Sequence, residues 1–334
     1  MFRRYKRRST NIVFVIFRLI LSVVMFAVLL GGVYSAYKHF SGLDPFKLDP
    51  QSVVLGIMSQ NKDISEVINK IPGFKGKLDT IPRLLPVQKE GKLLTSKPIF
   101  TFLLVADSHN DNINLKKALI QAKDKDPKFI IGLGDYTEVG TLEEMKNAKK
   151  EFDATGLRYF LTPGDHDLWD CRNRSFSPIC NFEQVFGPPY QAFGFDDFRF
   201  LILFNSDNYV GIDQNQMDWL LSEMERAKKE GVKAVYVFLH EPLYHPSSDH
   251  IMGRVEQSLK SQAKSLIYEF KDAGVKKVFA GDTHYFSEYE EPVTKLSMVT
   301  VGAVTIERNP QAPRYAVVWV FEDGNIKVED VEIK

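Results

Sequence analysis

Five times along this chain an apolar, β-branched or aromatic run ends abruptly in a short segment of Gly, Asp and His. The segments are Asp107-Ser108-His109, Gly134-Asp135-Tyr136-Thr137-Glu138, Gly164-Asp165-His166-Asp167, His240-Glu241-Pro242 and Gly281-Asp282-Thr283-His284. Runs of that kind are buried strands, so each segment is expected just past a strand's C-terminal end. In open α/β sheets that edge is where ligands bind. Asp and His are the ligand types for divalent cations, and a pair of such ions suits hydrolysis at phosphorus.

The intervening stretches have helical spacing. Strands are expected over 99–106, 129–133 and 159–162, with amphipathic helices over 113–123 and 142–155 between them. This βαβαβ rhythm argues for a largely parallel sheet. The second half repeats it more loosely. Strands are expected over 198–204, 232–239 and 275–279, and helices over 214–229 and 255–270. Three closing strands follow at 297–304, 314–321 and 326–333, with Asp323-Gly324 as a hairpin turn between the last two. The chain carries no internal repeat.

The N-terminus is of another kind. Arg3-Arg4-Tyr5-Lys6-Arg7-Arg8 precedes 19 residues without a charge, Leu19 to Tyr37. About 20 apolar residues span a bilayer as a helix. The basic flank places the N-terminus inside, and the bulk of the chain therefore outside the cytoplasm. A cleaved signal peptide is the alternative. A signal-anchor is preferred, because the run is long for a signal core and Tyr34 stands where a cleavage site wants a small residue. The expected organisation is a basic tail and membrane signal-anchor over 1–37, a stalk or cap over 38–98, and a catalytic domain over 99–334. Pro72, Pro82 and Pro86 break any long helix in the stalk.

Charge excludes one class of partner. The chain has 43 basic and 43 acidic residues, with no basic excess for a nucleic-acid surface. The only cysteines, Cys171 and Cys180, bracket an eight-residue loop. Outside the cytoplasm they can pair, and closing so short a loop would stabilise by about 2–3 kcal/mol; two free thiols are the alternative. No further Cys or His stands at zinc-ligand spacing around them.

Taken singly, each of the five segments is a common turn. In order, they resemble the signature of the calcineurin-like metallophosphoesterase superfamily: Asp-x-His, Gly-Asp-x-x-Asp, Gly-Asn-His-Asp/Glu, a lone His, then Gly-His-x-His. The resemblance covers about residues 99–310, including Phe186-Gly-Pro-Pro-Tyr190 and Gln216 with Trp219-Leu220. It implies an α/β fold, a sandwich of two mixed sheets flanked by helices, with two divalent metal ions at the strand ends. Carried over by motif, Asp107, His109, Asp135 and His284 would hold one ion. Asp135 as a bridge, with Asp165, His240 and Asp282, would hold the other. A hydroxide between the ions would attack the phosphoester. His166 would contact the phosphoryl group or protonate the leaving oxygen, and Glu138 would orient His166.

Three positions depart from the signature. Asp165 replaces Asn, Asp282 replaces His, and Glu138 replaces Asp. The first two enrich the second site in oxygen, which favours Mn, with Mg and Ca, over Zn; Fe and Zn stay possible. The expected activity is hydrolysis of a diester or a monoester outside the cytoplasm. The alternative is a catalytically degenerate, metal-binding interaction module at the membrane. Arg172 and Arg174 are further candidates for binding a substrate anion, and His245 and His250 for lining the pocket, while Tyr285, Phe286 and Tyr289 read as packing.

Overall fold

The computed structural model describes residues 97–334. The signal-anchor read over 1–37 and nearly all of the stalk read over 38–98 lie outside them. Among the described residues no helix is long and apolar enough to cross a membrane.

Two mixed sheets form the frame. The first has the order β11-β10-β1-β2-β3. Its strands are β1 (Phe100–Val105), β2 (Pro127–Gly132), β3 (Arg158–Leu161), β10 (Arg314–Val320) and β11 (Ile326–Glu332). β1, β2 and β3 run parallel, and β10 and β11 close the edge antiparallel. The second sheet has the order β4-β5-β6-β7-β9-β8. It comprises β4 (Gln191–Phe195), β5 (Phe198–Ile202), β6 (Ala234–Phe238), β7 (Lys277–Ala280), β8 (Ser287–Glu290) and β9 (Ser297–Thr300). Its four central strands are parallel and its two edges antiparallel.

Strand alternation explains the layering. On β1, Phe100, Phe102 and Leu104 face the second sheet, and Leu103 and Val105 face the helices. Both sets are buried, as strands covered on both faces require. The inter-sheet layer is built of phenylalanine: Phe102 stacks on Phe129 at 5.2 Å and meets Phe200 edge-on at 5.5 Å. Each buried Phe contributes about 1.5–3 kcal/mol, so this layer fixes how the two sheets meet.

Helices α1 (Asn112–Gln121), α2 (Leu142–Asp153), α3 (Trp169–Asn173) and α4 (Cys180–Phe186) accompany the first sheet, with α1, α2 and α4 supplying its outer core. Helices α5 (Gln214–Glu230) and α6 (Leu259–Asp272) cover the second. Their ends follow local chemistry. Thr141 and Glu144 form a reciprocal capping box on α2, Asp213 caps α5, and Gly231 ends α5 in the left-handed region.

The structure departs from the sequence expectations at edges. Edge strands β4 and β8 and short helices α3 and α4 are additions. Helix α6 starts at Leu259, four residues after Val255, because Gly253 takes a φ of +88° and the chain turns there first. Cys171 and Cys180 form a disulfide with Cα atoms 6.0 Å apart, tying α3 to α4.

Candidate metal centre

The expected ligands do meet at the strand ends, from both sheets. β1 delivers Asp107 and His109, β2 delivers Asp135, and the turn after β3 delivers Asp165. The second sheet delivers His240 after β6, and Asp282 and His284 after β7. Five of these seven residues, Asp107, His109, Asp135, Asp282 and His284, have φ between +41° and +62°. Such backbone is uncommon for residues with a Cβ, and its clustering here marks a functional site.

Potential ligand atoms lie within 4.8 Å of one another in Asp107–His109–His284, in Asp107–Asp135–His240 and in Asp165–His240–Asp282. The triads at either end match the two expected sites, and the middle one spans them at the bridging position. Two glycines make the approach possible. A Cβ on Gly164 would lie 2.0 Å from Asp135 Oδ1, and one on Gly134 would lie 2.5 Å from His240 Nδ1.

Hydrogen bonds set which ring nitrogens are free. His240 Nδ1 donates to the Leu133 carbonyl at 2.6 Å, leaving Nε2 as a lone pair 3.6 Å from Asp135 Oδ1 and 3.7 Å from Asp165 Oδ1. His284 Nδ1 donates to the Arg308 carbonyl at 3.0 Å, so its Nε2 is also free. That nitrogen faces His109 Nε2 at 3.1 Å. Burial, with the neighbouring His rings, holds His109 well below its ordinary pKa; burial takes His284 to about 4. Two neutral rings aiming nitrogens at each other need a shared cation or proton between them, and two nitrogens on one ion at about 2.0–2.1 Å fit that spacing.

The electrostatics also call for positive charge. Asp107 Oδ2 and His240 Nε2 are buried without a hydrogen-bond partner. Burial raises Asp107 to about 8, reinforced by Asp282 and Asp165, and burial likewise raises Asp135. At His240 burial works against charge, yet Asp135, Asp165, Asp107 and Asp282 overcome it and raise the ring's pKa. Protons gather where cations would otherwise balance the carboxylates. The residues present fit two divalent ions.

His166 sits beside the first triad, its ring 4.6 Å from that of His109 and stacked on Trp169 at 3.8 Å. Its Nδ1 donates to the Glu138 backbone carbonyl at 2.7 Å. Glu138 therefore reaches His166 through its main chain. Its carboxylate pairs with Arg308 and lies 3.7 Å from His109 Nδ1, a refinement of the expected side-chain role.

Other residues hold the loops. Buried Asp167 accepts from Thr137 N, Thr137 Oγ1 and Gly164 N at 3.1, 2.7 and 2.9 Å. Asn205 Oδ1 accepts from the amides of His240 and Glu241, both at 3.1 Å. Asn208 donates to Asp165 Oδ2 at 3.1 Å. His250 Nδ1 lies 3.4 Å from Asp282 Oδ1, and its Nε2 is 3.1 Å from Arg254. Burial pushes the Asp282 carboxyl up, but the His250 hydrogen bond and the His250, His240 and Arg254 charges outweigh it and hold it low. Asn205, Asn208, Arg254 and Arg308 escaped the sequence reading. Asn205 stands past the end of β5, the same signal that marked the others.

Of the further candidates, His250 joins the centre and His245 does not. Buried His245 is held down to about 3 by desolvation and accepts from Ser248 N at 2.9 Å, a structural role. Arg172 is ion-paired with Asp207 at 3.2 Å, and Arg174 with Asp170 at 2.6 Å. Tyr285, Phe286 and Tyr289 pack, as expected: Phe286 lies against the inter-sheet core, Tyr285 meets His245, and Tyr289 donates to the Tyr244 carbonyl at 2.7 Å. Gln216 ties its helix to β5 by bonding both N and O of Phe204 at 2.8 Å.

Two sheets with a dense Asp/His cluster at the parallel strand ends are the arrangement that the metallophosphoesterase resemblance implies. The family model for calcineurin-like phosphoesterases matches residues 100–286, and the chain belongs to that family, hydrolases acting on ester bonds at a dimetal centre. Curated relatives include the human serine/threonine-protein phosphatase CPPED1, 27% identical over 231 residues, covering 64% of this chain and 72% of the relative. A probable glycerophosphodiester phosphodiesterase GpdQ of Arcobacter nitrofigilis is 24% identical over 170 residues, covering 49% and 57%. Among solved structures, a dimetal phosphatase from Danio rerio superposes with a TM-score of 0.54 at 17% identity, over 71% of this chain and all of that one. GAP50, the anchor in the inner membrane complex of Plasmodium, gives 0.52 at 15% identity, over 70% and 85%. These two likenesses show the shared fold.

Proposed function

We propose that the chain hydrolyses a phosphoester at a two-metal centre. Asp107, His109, Asp135 and His284 would hold one ion, and Asp135, Asp165, His240 and Asp282 the other. When bound, two divalent cations polarise phosphoryl oxygens and activate the attacking water as hydroxide. The carrying observation is the opposed pair of ring nitrogens, His109 Nε2 and His284 Nε2, 3.1 Å apart beside buried Asp107 and Asp135.

The protein's own groups do the rest. The seven side chains would place the ions. His166, with Nδ1 committed to the Glu138 carbonyl, keeps Nε2 for the substrate. Protonated there, it can donate to the leaving oxygen as the ester bond breaks.

Asp107, Asp135, Asp165 and Asp282 bring four negative charges to two divalent ions. The resulting neutral centre attracts a dianionic monoester less than a mixed His/Asn site would, which favours monoanionic diesters. Oxygen-rich ligation at the second site favours Mn over Zn.

The domain organisation read from the sequence belongs to this proposal: residues 1–37 as a basic tail and signal-anchor, 38–98 as a stalk or cap, and the catalytic domain over 99–334 outside the cytoplasm. The Cys171–Cys180 disulfide supports an oxidising compartment.

The test is the purified chain, loaded with Mn, Mg or Zn in turn and assayed with bis(p-nitrophenyl) phosphate and p-nitrophenyl phosphate. Metal-dependent turnover with the diester faster supports the proposal; a clear monoester preference would sink the diester part. The two substituted ligands favour one rival, a metal-binding module without catalysis. His166→Ala separates them, since activity should fall at least 100-fold in an enzyme and a module has none to lose.

A further inference from the structure

The residues read as metal ligands are held in two different ways. Four of the five that match the signature are held by the main chain. Asp107 Oδ1 accepts from the Asp282 amide at 3.2 Å, and Asp135 Oδ1 from the His166 amide at 3.0 Å. His240 Nδ1 and His284 Nδ1 donate to the carbonyls of Leu133 and Arg308. The two that depart from the signature are held, among the described residues, by side chains. Asp165 Oδ2 accepts from the Asn208 side-chain amide at 3.1 Å, which leaves Oδ1 on the side of His240. Asp282 Oδ1 faces His250 Nδ1 at 3.4 Å.

The difference has a chemical pattern. Asp165 stands where the signature has an amide, and Asp282 where it has an imidazole. An amide and an imidazole stand one hydrogen bond behind them, on Asn208 and His250. Support from the main chain survives most substitutions of the supporting residue, whereas support from a side chain is lost with one.

The His250 contact has a further partner. Arg254 Nη1 lies 3.1 Å from His250 Nε2. A guanidinium donates and never accepts. His250 Nε2 is therefore the acceptor, and the ring proton is left on Nδ1, the nitrogen that faces Asp282. Three residues form one directed line, from Arg254 through His250 to Asp282. Arg172, Arg174, Arg199, Arg226, Arg308 and Arg314 each pair with a carboxylate, whereas the Arg254 guanidinium meets a ring nitrogen. The loop that carries both residues is fixed. The His250 amide donates to Ser248 Oγ at 3.1 Å, and the amide of buried Met252 donates to the Pro242 carbonyl at 2.9 Å. Gly253 turns with a φ of +88°, where a Cβ would lie 2.6 Å from the Lys260 amide nitrogen.

We infer that Asn208, His250 and Arg254 are positioning residues for the second metal pocket. Asn208 sets the plane of the Asp165 carboxylate. Arg254 acts on Asp282 only through His250, by keeping the ring proton on Nδ1. The inference rests on the two-metal reading above and adds what retains the second ion. Outer partners of this kind are worth about 10–100-fold in metal affinity. An exposed arginine in incidental contact with His250 would change neither metal affinity nor the ring's tautomer on removal, and the experiment separates the two cases on that ground.

The full chain is purified metal-free with its histidine ring nitrogens isotopically labelled, and Mn is titrated in competition with a chelating dye. Arg254→Ala should weaken one of two Mn affinities by about tenfold and leave the other unchanged. Arg254→Lys, which also only donates, should recover most of that loss. The double variant R254A/H250A should bind no more weakly than H250A, because the arginine has no path of its own to Asp282. Asn208→Ala should weaken the same ion through Asp165. By NMR of the metal-free protein, the His250 ring, assigned by the signal lost in H250A, should carry its proton on Nδ1 and lose that preference in R254A. Unchanged Mn affinity in R254A or N208A, an additive loss in R254A/H250A, or a His250 tautomer indifferent to residue 254 would each overturn the proposal. Equal weakening of both ions would show a general structural effect and overturn it as well. A wild-type chain that takes up fewer than two Mn ions would overturn the two-metal reading itself, and this one with it.

Discussion

The backbone amide of His166 donates to Asp135 Oδ1 at 3.0 Å. The candidate acid and the candidate bridging carboxylate are thereby locked to each other across 31 residues. Asp135 uses that oxygen to fix the His166 turn, and the same oxygen lies 3.6 Å from His240 Nε2. One carboxylate oxygen holds the His166 turn and would join the two candidate metal pockets.

Asp135→Asn should separate those roles. The amide oxygen can keep the bond from His166, while the charge is lost. We expect the bound metal, measured by mass spectrometry of the native protein, to fall from two ions towards one or none, with kcat reduced at least 100-fold. Two ions retained with full activity would remove Asp135 from the bridge.

His250→Ala should act on the second pocket alone. Losing the support of Asp282 is expected to weaken one of two metal affinities by about 10–100-fold and leave the other unchanged, as read by competition with a chelating dye. Equal weakening of both ions would show a general structural effect.

Metal uptake should release protons. Burial holds Asp107 up at about 8, so in the metal-free protein that carboxyl carries a proton near neutrality, and burial raises Asp135 in the same direction. A cation must displace bound protons, so apparent affinity should rise as pH rises towards 8, by about tenfold per unit for each proton released. Calorimetric titration in buffers of different ionisation heats counts those protons directly; none released would contradict this charge state.

Cys171→Ser should cost about 2–3 kcal/mol by the loop-entropy relation, lowering Tm by roughly 4–12 °C. Because α3 follows the His166 turn directly, activity at low temperature should survive if His166 keeps its bond to Glu138. Unchanged thermal stability would mean that packing of α3 and α4 suffices alone.

Much of this was legible in the chain because strand and ligand are adjacent in sequence. Asp107, Asp135, Asp165, His240 and Asp282 each follow a buried apolar run, so one local pattern gave both the strand and the place of its ligand. Residues contributed from irregular loops gave no such pattern. Arg308 reaches Glu138 across 170 positions, and His250 reaches Asp282 across 32. Glu138 was found by motif spacing, but spacing cannot tell a carboxylate contact from a carbonyl one. Strand β8, Ser-Glu-Tyr-Glu with alternate residues exposed, exists through pairing with β9 rather than through hydrophobic content.

The ligands divide between the sheets: Asp107, His109, Asp135 and Asp165 come from the first, and His240, Asp282 and His284 from the second. Neither half of the chain can assemble a pocket alone. The phenylalanine layer must close before His240 and Asp135 face each other. Metal capture would then need both sheets in place, and bound ions would resist their separation. The centre would be a clasp as well as a candidate reaction site, and the rate at which chelators strip the ions would report how often the two sheets part.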